Sequence, residues 1–104
     1  MNIIITEPAQ QDLENIKTYI AKDSLFYADV FVQKLFATIE NLLPFPKIGK
    51  KVLETNNQNI RQIFHKDYRI IYQITPDNLY ILAVIHGSRD ITKRKNRSWE
   101  KDQK

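Results

Sequence analysis

Two apolar runs stand side by side in the last third of the chain, Tyr68-Arg-Ile-Ile-Tyr-Gln-Ile-Thr75 and Leu79-Tyr-Ile-Leu-Ala-Val-Ile-His86, with only Pro76-Asp77-Asn78 between them. Runs of this length, rich in Ile, Val and Tyr and bounded by turn residues, form paired β-strands. Each also carries a cation where a plain core strand has none: Arg69 is second in the first run and His86 closes the second. A cationic group on a sheet costs stability unless it faces water or an anion. The sheet is therefore both the centre of the fold and the first place to look for function.

The rest of the chain supplies a helical layer. Ile3 to Thr6 reads as a short strand start, and Pro8 suits the first turn of a following helix. Ala9, Leu13, Ile16 and Ile20 recur at spacings of four, three and four, one face of an amphipathic helix that ends near Lys22-Asp23. Ser24 is an N-cap for a second helix carrying Ala28, Phe31, Val32, Leu35, Phe36, Ile39, Leu42 and Leu43, stopped by Pro44 and Pro46. Two helices so tightly joined form an antiparallel hairpin. Lys47 to Asn59 reads as a loop, and Asn59 to His65 as one more strand. The order is βααβββ, an α+β fold with an N-terminal strand and helical hairpin packed on an antiparallel sheet.

Parity decides which side chains share a face. Tyr68, Ile70, Tyr72 and Ile74 form the more apolar set, and Arg69, Ile71 and Gln73 the other. A two-residue Asp77-Asn78 turn would pair Ile74 with Ile81, Tyr72 with Ala83 and Ile70 with Ile85, and set Arg69 opposite His86 on the outer face. For the preceding strand, a tight Lys66-Asp67 turn would drive Arg61 onto the core face opposite Tyr72, a poor site for a charge. A longer connection or a bulge instead buries Ile60 and Phe64 and places Arg61, Ile63 and His65 beside Arg69. The expectation is an outer face bearing Arg61, Arg69 and His86, with Arg89 just beyond it.

Composition narrows the chemistry. With 104 residues the chain makes one domain, here residues 1–90, followed by a basic and mobile C-terminal tail, 91–104. It has no cysteine, which excludes disulfides, a thiol nucleophile and a thiolate zinc site, and fits a reducing cytoplasm. Two histidines alone make a poor metal site, and two glycines leave no phosphate-cradling loop, so no metal or cofactor is expected. No run approaches the ~20 apolar residues of a membrane span. Charge is uneven: residues 1–40 hold six acids against three bases, 41–90 four against seven, and 91–104 two against six. The cationic half is the electrostatic footprint expected for a polyanion or an acidic protein.

Guanidinium groups at Arg61, Arg69 and Arg89 match phosphate geometry and stay charged. His86 can move a proton near neutrality, and Glu54 is the nearby carboxylate able to act as a base. Such a set could cleave RNA without metal, through attack of a 2′-hydroxyl on the adjacent phosphate. The plain alternative pairs Arg89 with Asp90 or Asp67 and leaves His86 to cap a strand. The tyrosines read as core or rim packing, as do Phe26 and Tyr27 at the hairpin corner, although these two could mark a contact surface.

The chain resembles the RelE/ParE superfamily of toxins from type II toxin–antitoxin systems, often described as plasmid stabilisation proteins. The matching residues are Ala9-x-x-Asp12-Leu13-x-x-Ile16-x-x-Tyr19-Ile20, Ser24 with Tyr27-Ala28-x-x-Phe31, Pro46-x-x-Gly49, Glu54 before Ile60-Arg61, Tyr68-Arg69-Ile70-Ile71-Tyr72, and His86-Gly87-Ser88-Arg89-Asp90. The resemblance implies a small cytoplasmic growth inhibitor neutralised by a cognate antitoxin, and the same βααβββ fold. The antitoxin would be a short acidic and apolar chain that folds on binding, with operator DNA reached only through it. RelE-like members cut mRNA on the ribosome, a role that would make Arg61, Arg69, His86, Arg89 and Glu54 catalytic. ParE-like members poison DNA gyrase and are not nucleases. After Arg89 the segment Ile91-Thr-Lys-Arg-Lys-Asn96 offers no Tyr or His where RelE-like enzymes often keep one, so Lys93 or Lys95 would have to substitute. This favours the ParE branch, with the RelE-like nuclease and a purely partner-binding homologue as alternatives.

Overall fold

A computed structural model describes residues 1–88; the predicted tail, and Arg89 with it, lies outside the described residues. The elements are β1 (Asn2–Ile5), α1 (Glu7–Ala21), α2 (Leu25–Glu40), a 3-10 turn (Pro46–Ile48), β2 (Lys50–Lys51), β3 (Ile60–His65), β4 (Tyr68–Ile74) and β5 (Asn78–His86). They form one sheet in the order β1-β5-β4-β3-β2 with the helical hairpin on one face. The α+β architecture is the expected one, with two additions. β1 joins the sheet parallel to β5, and the two-residue β2 pairs with β3 inside what reads as loop.

Local chemistry sets the helix ends. Thr6 caps α1 by accepting from the Ala9 amide, and Pro8 sits in the first turn, where a missing N–H is harmless. Ser24 caps α2 by accepting from the Tyr27 amide at 3.1 Å. Only Lys22, Asp23 and Ser24 separate the helices. Their facing stripes (Ala9, Leu13, Ile16, Phe31, Leu35, Ile39) close on Ile70, Tyr72, Leu79, Ile81 and Val84 of the sheet. The helix leaves off at Glu40, short of the prolines, yet Leu42 beyond it still enters this core.

Both strand registers differ from expectation. β4 and β5 pair as Ile74↔Leu79, Gln73↔Tyr80 and Tyr72↔Ile81, then shift at a bulge to Ile71↔Ala83, Arg69↔Ile85 and Tyr68↔His86. Arg69 and His86 are therefore not cross-strand partners; they lie on opposite faces. The cause is the end of β1 at the Ile5↔Ile81 pair. There α1 takes over as neighbour to β5: the Thr6 amide and hydroxyl both donate to the Ile81 carbonyl, and Asp12 Oδ2 accepts from the Val84 amide at 2.9 Å. The extra residue flips the later parity of β5. Ala83 and Ile85 join Val52, Ile60, Ile71 and Leu82 in a second apolar cluster on the outer face.

The β3–β4 connection is the tight one. His65 pairs with Tyr68, so Lys66-Asp67 is a two-residue turn, and Lys66 takes the positive φ (54°) that such turns require. Arg61 consequently lies opposite Tyr72 on the helix-side face, and Phe64 is exposed. The longer connection that would have gathered Arg61 beside Arg69 does not form.

Candidate functional site

Arg69 is the best-defined polar centre of the outer face. It is only 5% exposed, and each of its three guanidinium nitrogens donates a hydrogen bond. Nη1 donates to Glu54 Oε2 at 2.8 Å, Nη2 to Glu54 Oε1 at 2.9 Å, and Nε to Gln62 Oε1 at 2.7 Å. Sequence parity delivers Gln62 to this face from β3, beside Ile60. Glu54 arrives from the turn after β2, anchored by buried Val52, whose carbonyl accepts from the Thr55 amide. The bidentate fork is the strongest arrangement available to this pair, and burial strengthens it further.

Arg61 occupies a separate environment. Its Nη1 donates to the Gly49 carbonyl at 2.9 Å and the Lys47 carbonyl at 3.3 Å. Next to it, the buried Tyr72 hydroxyl donates to the Pro46 carbonyl at 2.6 Å and accepts from the Gly49 amide at 3.0 Å. Burial raises the Tyr72 pKa, against the pull of the Gly49 amide and the Arg61 charge. A side chain at position 49 would run into the Tyr72 hydroxyl and come within 2.7 Å of the Gln62 carbonyl, so the loop needs glycine there.

His86 is exposed at the end of β5, its ring 6.3 Å from that of Tyr68. Its Nδ1 lies 2.9 Å from Ser88 Oγ and accepts from the Ser88 amide at 3.3 Å, which assigns the ring proton of the neutral form to Nε2. Of the five residues singled out from the sequence, Glu54 and Arg69 are thus brought together, Arg61 and His86 stand apart from them on the other face, and Arg89 lies outside the described residues. The single basic outer face does not form among the described residues.

Sequence reasoning missed three structural contributors: Gln62, Tyr72 with Gly49, and His65. His65 Nδ1 sits 3.2 Å from Thr38 Oγ1, and its ring meets Phe31 edge-on at 5.3 Å. The available signal was the plain alternation of β3 in the tight-turn register, which puts Arg61, Ile63 and His65 under the helical layer. Among the described residues no group of His, Asp or Glu is placed to hold a metal ion, and no helix is long and apolar enough to cross a membrane.

Comparison with known proteins follows the same lines. A family model described as the ParE toxin of the type II toxin–antitoxin system parDE matches residues 3–91. Among solved structures, a chain of the chromosomal ParDE toxin–antitoxin system from P. aeruginosa is similar at 17% identity, over 83% of this chain and 95% of that one, with a TM-score of 0.69. A chain of the toxin–antitoxin complex RelBE2 from Mycobacterium tuberculosis is similar at 20% identity, over 82% and 95%, with a TM-score of 0.54. No curated protein matches the sequence. At such identities the structural likeness is one of fold.

Proposed function

The chain belongs to the ParE toxin family of type II toxin–antitoxin systems, and on that premise we propose that it arrests growth by poisoning DNA gyrase, trapping the enzyme with its DNA cleaved. As a toxin of this kind it has a cognate antitoxin as partner, and both solved neighbours come from toxin–antitoxin systems. The antitoxin is an acidic and apolar chain that orders itself on the toxin, and operator DNA is contacted through it alone.

The observation that carries the gyrase reading is the engagement of Arg69. A nuclease needs the cation at this position to reach an RNA phosphate, but here the fork is closed on Glu54 and Gln62 behind the surface. Releasing it would break a bidentate ion pair whose Arg69 side is 6% exposed, a cost that phosphate binding would first have to offset. Among the described residues, Arg61 and His86 lie on the other side of the sheet and do not converge with Glu54 on one scissile bond.

Induction in cells separates the readings. DNA-damage signalling with intact transcripts is the expected outcome. Rapid transcript cleavage at ribosomes without damage signalling would replace the gyrase reading by the nuclease one. Absence of toxicity would leave a partner-binding homologue.

A further inference from the structure

We propose that the antitoxin is seated at the corner between α2 and β2, with apolar side chains in a hollow there and carboxylates on three cations beside it. The inference rests on the antitoxin reading above and is independent of the gyrase one. The hollow, ≈ 620 Å³, is lined by Pro44, Phe45, Pro46, Ile48 and Ile74, and Lys47 supplies its charged side chain. Phe45 and Ile48 are 68% and 67% exposed. The space is therefore open along the loop, which suits a segment laid across it; a small ligand needs most of its surface covered.

The loop is held in one shape from within. The Tyr72 hydroxyl bridges the Pro46 carbonyl and the Gly49 amide. Arg61 Nη1 donates to the Lys47 and Gly49 carbonyls, and the Ile48 amide donates to the Phe45 carbonyl at 3.0 Å. With these backbone groups satisfied, the loop turns side chains outward, Phe45 and Ile48 foremost. A surface fixed before binding costs a partner little ordering.

Charge selects the partner. Lys51 is the cross-strand neighbour of Arg61, so both side chains share one face of the sheet, roughly 5 Å apart at Cβ. The Arg61 guanidinium reaches the Lys47 carbonyl, which brings the third cation alongside. Among the described residues none of these three is paired with a carboxylate, whereas Lys17 and Arg69 are. A second copy docked by a two-fold would set the cations against themselves. A nucleic acid would satisfy the charge and leave the hollow, walled by prolines and isoleucines, unfilled. An acidic and apolar chain meets both requirements, an apolar centre with a charged rim.

Calorimetric titration of the full chain with the purified protein encoded beside it tests the inference. Phe45→Ser and Lys47→Glu, both at exposed positions, should each weaken the complex about tenfold or more with unchanged circular dichroism. Added salt should weaken the parent complex, and weaken that of Lys47→Glu less. Lys22→Glu, the same change of charge at the hairpin tip, should cost markedly less. A parent complex that Phe45→Ser and Lys47→Glu leave intact, or that Lys22→Glu weakens equally, overturns this seat while keeping the antitoxin. No complex with the parent removes the antitoxin reading and the inference with it. The inference also fails if the corner serves another occupant. That result would be duplex DNA retarded by the parent but not by Lys47→Glu, or a self-association lost in Phe45→Ser, with antitoxin affinity unchanged in either variant.

Discussion

The guanidinium of Arg69 and the carboxylate of Glu54 meet in two parallel hydrogen bonds of 2.8 and 2.9 Å on the outer face of the sheet. The Arg69 side chain is 6% exposed and that of Glu54 21%, so the pair is shielded from solvent and salt. Removing the carboxylate takes from a buried guanidinium its bidentate counter-ion. Glu54→Ala should lower stability by about 2–3 kcal/mol, slightly below the range for fully buried pairs because Glu54 keeps some water. Urea denaturation of the purified variant measures this. A midpoint within error of the parent would show that Arg69 is held by other means.

The Pro46–Gly49 loop gives a second expectation. Tyr72→Phe removes a hydroxyl with two buried partners, the Pro46 carbonyl and the Gly49 amide, and should cost about 1–2 kcal/mol. Gly49→Ala should cost more, because the new methyl meets both the Tyr72 hydroxyl and the Gln62 carbonyl. Combining the two should cost less than their sum, since removing the hydroxyl frees part of the space. Strict additivity in a double-mutant cycle would contradict this geometry.

Much of this was legible in the residues, and the failures have identifiable causes. Tyr68, Ile70, Tyr72 and Ile74 do share the helix-side face, as alternation alone requires. A charge opposite Tyr72 is costly in isolation, so the sequence points Arg61 to the outer face, whereas it lies on the helix side. The carbonyls of Lys47 and Gly49 that accept its guanidinium come from a loop whose path no strand pattern reveals. The bulge in β5 depends on Thr6, whose hydroxyl donates to a carbonyl 75 residues away, and on Asp12. Neither contact is local, so neither has a periodic signature. Glu54 and Arg69 both stand out by residue type, but nothing in their spacing of fifteen residues marks them as each other's partner.

Asp12 leads to the third expectation. Its carboxylate ties α1 to the Val84 amide where β5 has lost its strand neighbour. Asp12→Ala should leave that amide without its acceptor, at a cost of about 1–3 kcal/mol. Amide hydrogen exchange should show the loss of protection concentrated at Val84. Uniform loss across β5, or none, would contradict the tether.

His65 makes stability depend on pH. Its Nε2 is shut away from solvent with no hydrogen-bond partner among the described residues. Burial foremost, then the charges of Lys66 and Lys34, hold its pKa below the ordinary 6.5. The unfolded chain therefore takes up this proton before the folded one does. The contribution of the neutral ring is complete above about pH 6.5 and is lost as pH falls from there through the lower folded value. Denaturation midpoints should fall over that window in the parent and fall less steeply in His65→Gln. Equal slopes would remove His65 as the cause.

The most direct measurement is gyrase-dependent cleavage of plasmid DNA by the purified full chain. Supercoiled plasmid is incubated with gyrase, ATP and the toxin, then treated with detergent and protease to release trapped enzyme. The account predicts linear DNA that accumulates with toxin dose, requires gyrase, and disappears when the cognate antitoxin is added first. No linear product at any dose, together with codon-spaced cuts in mRNA on translating ribosomes, would contradict it.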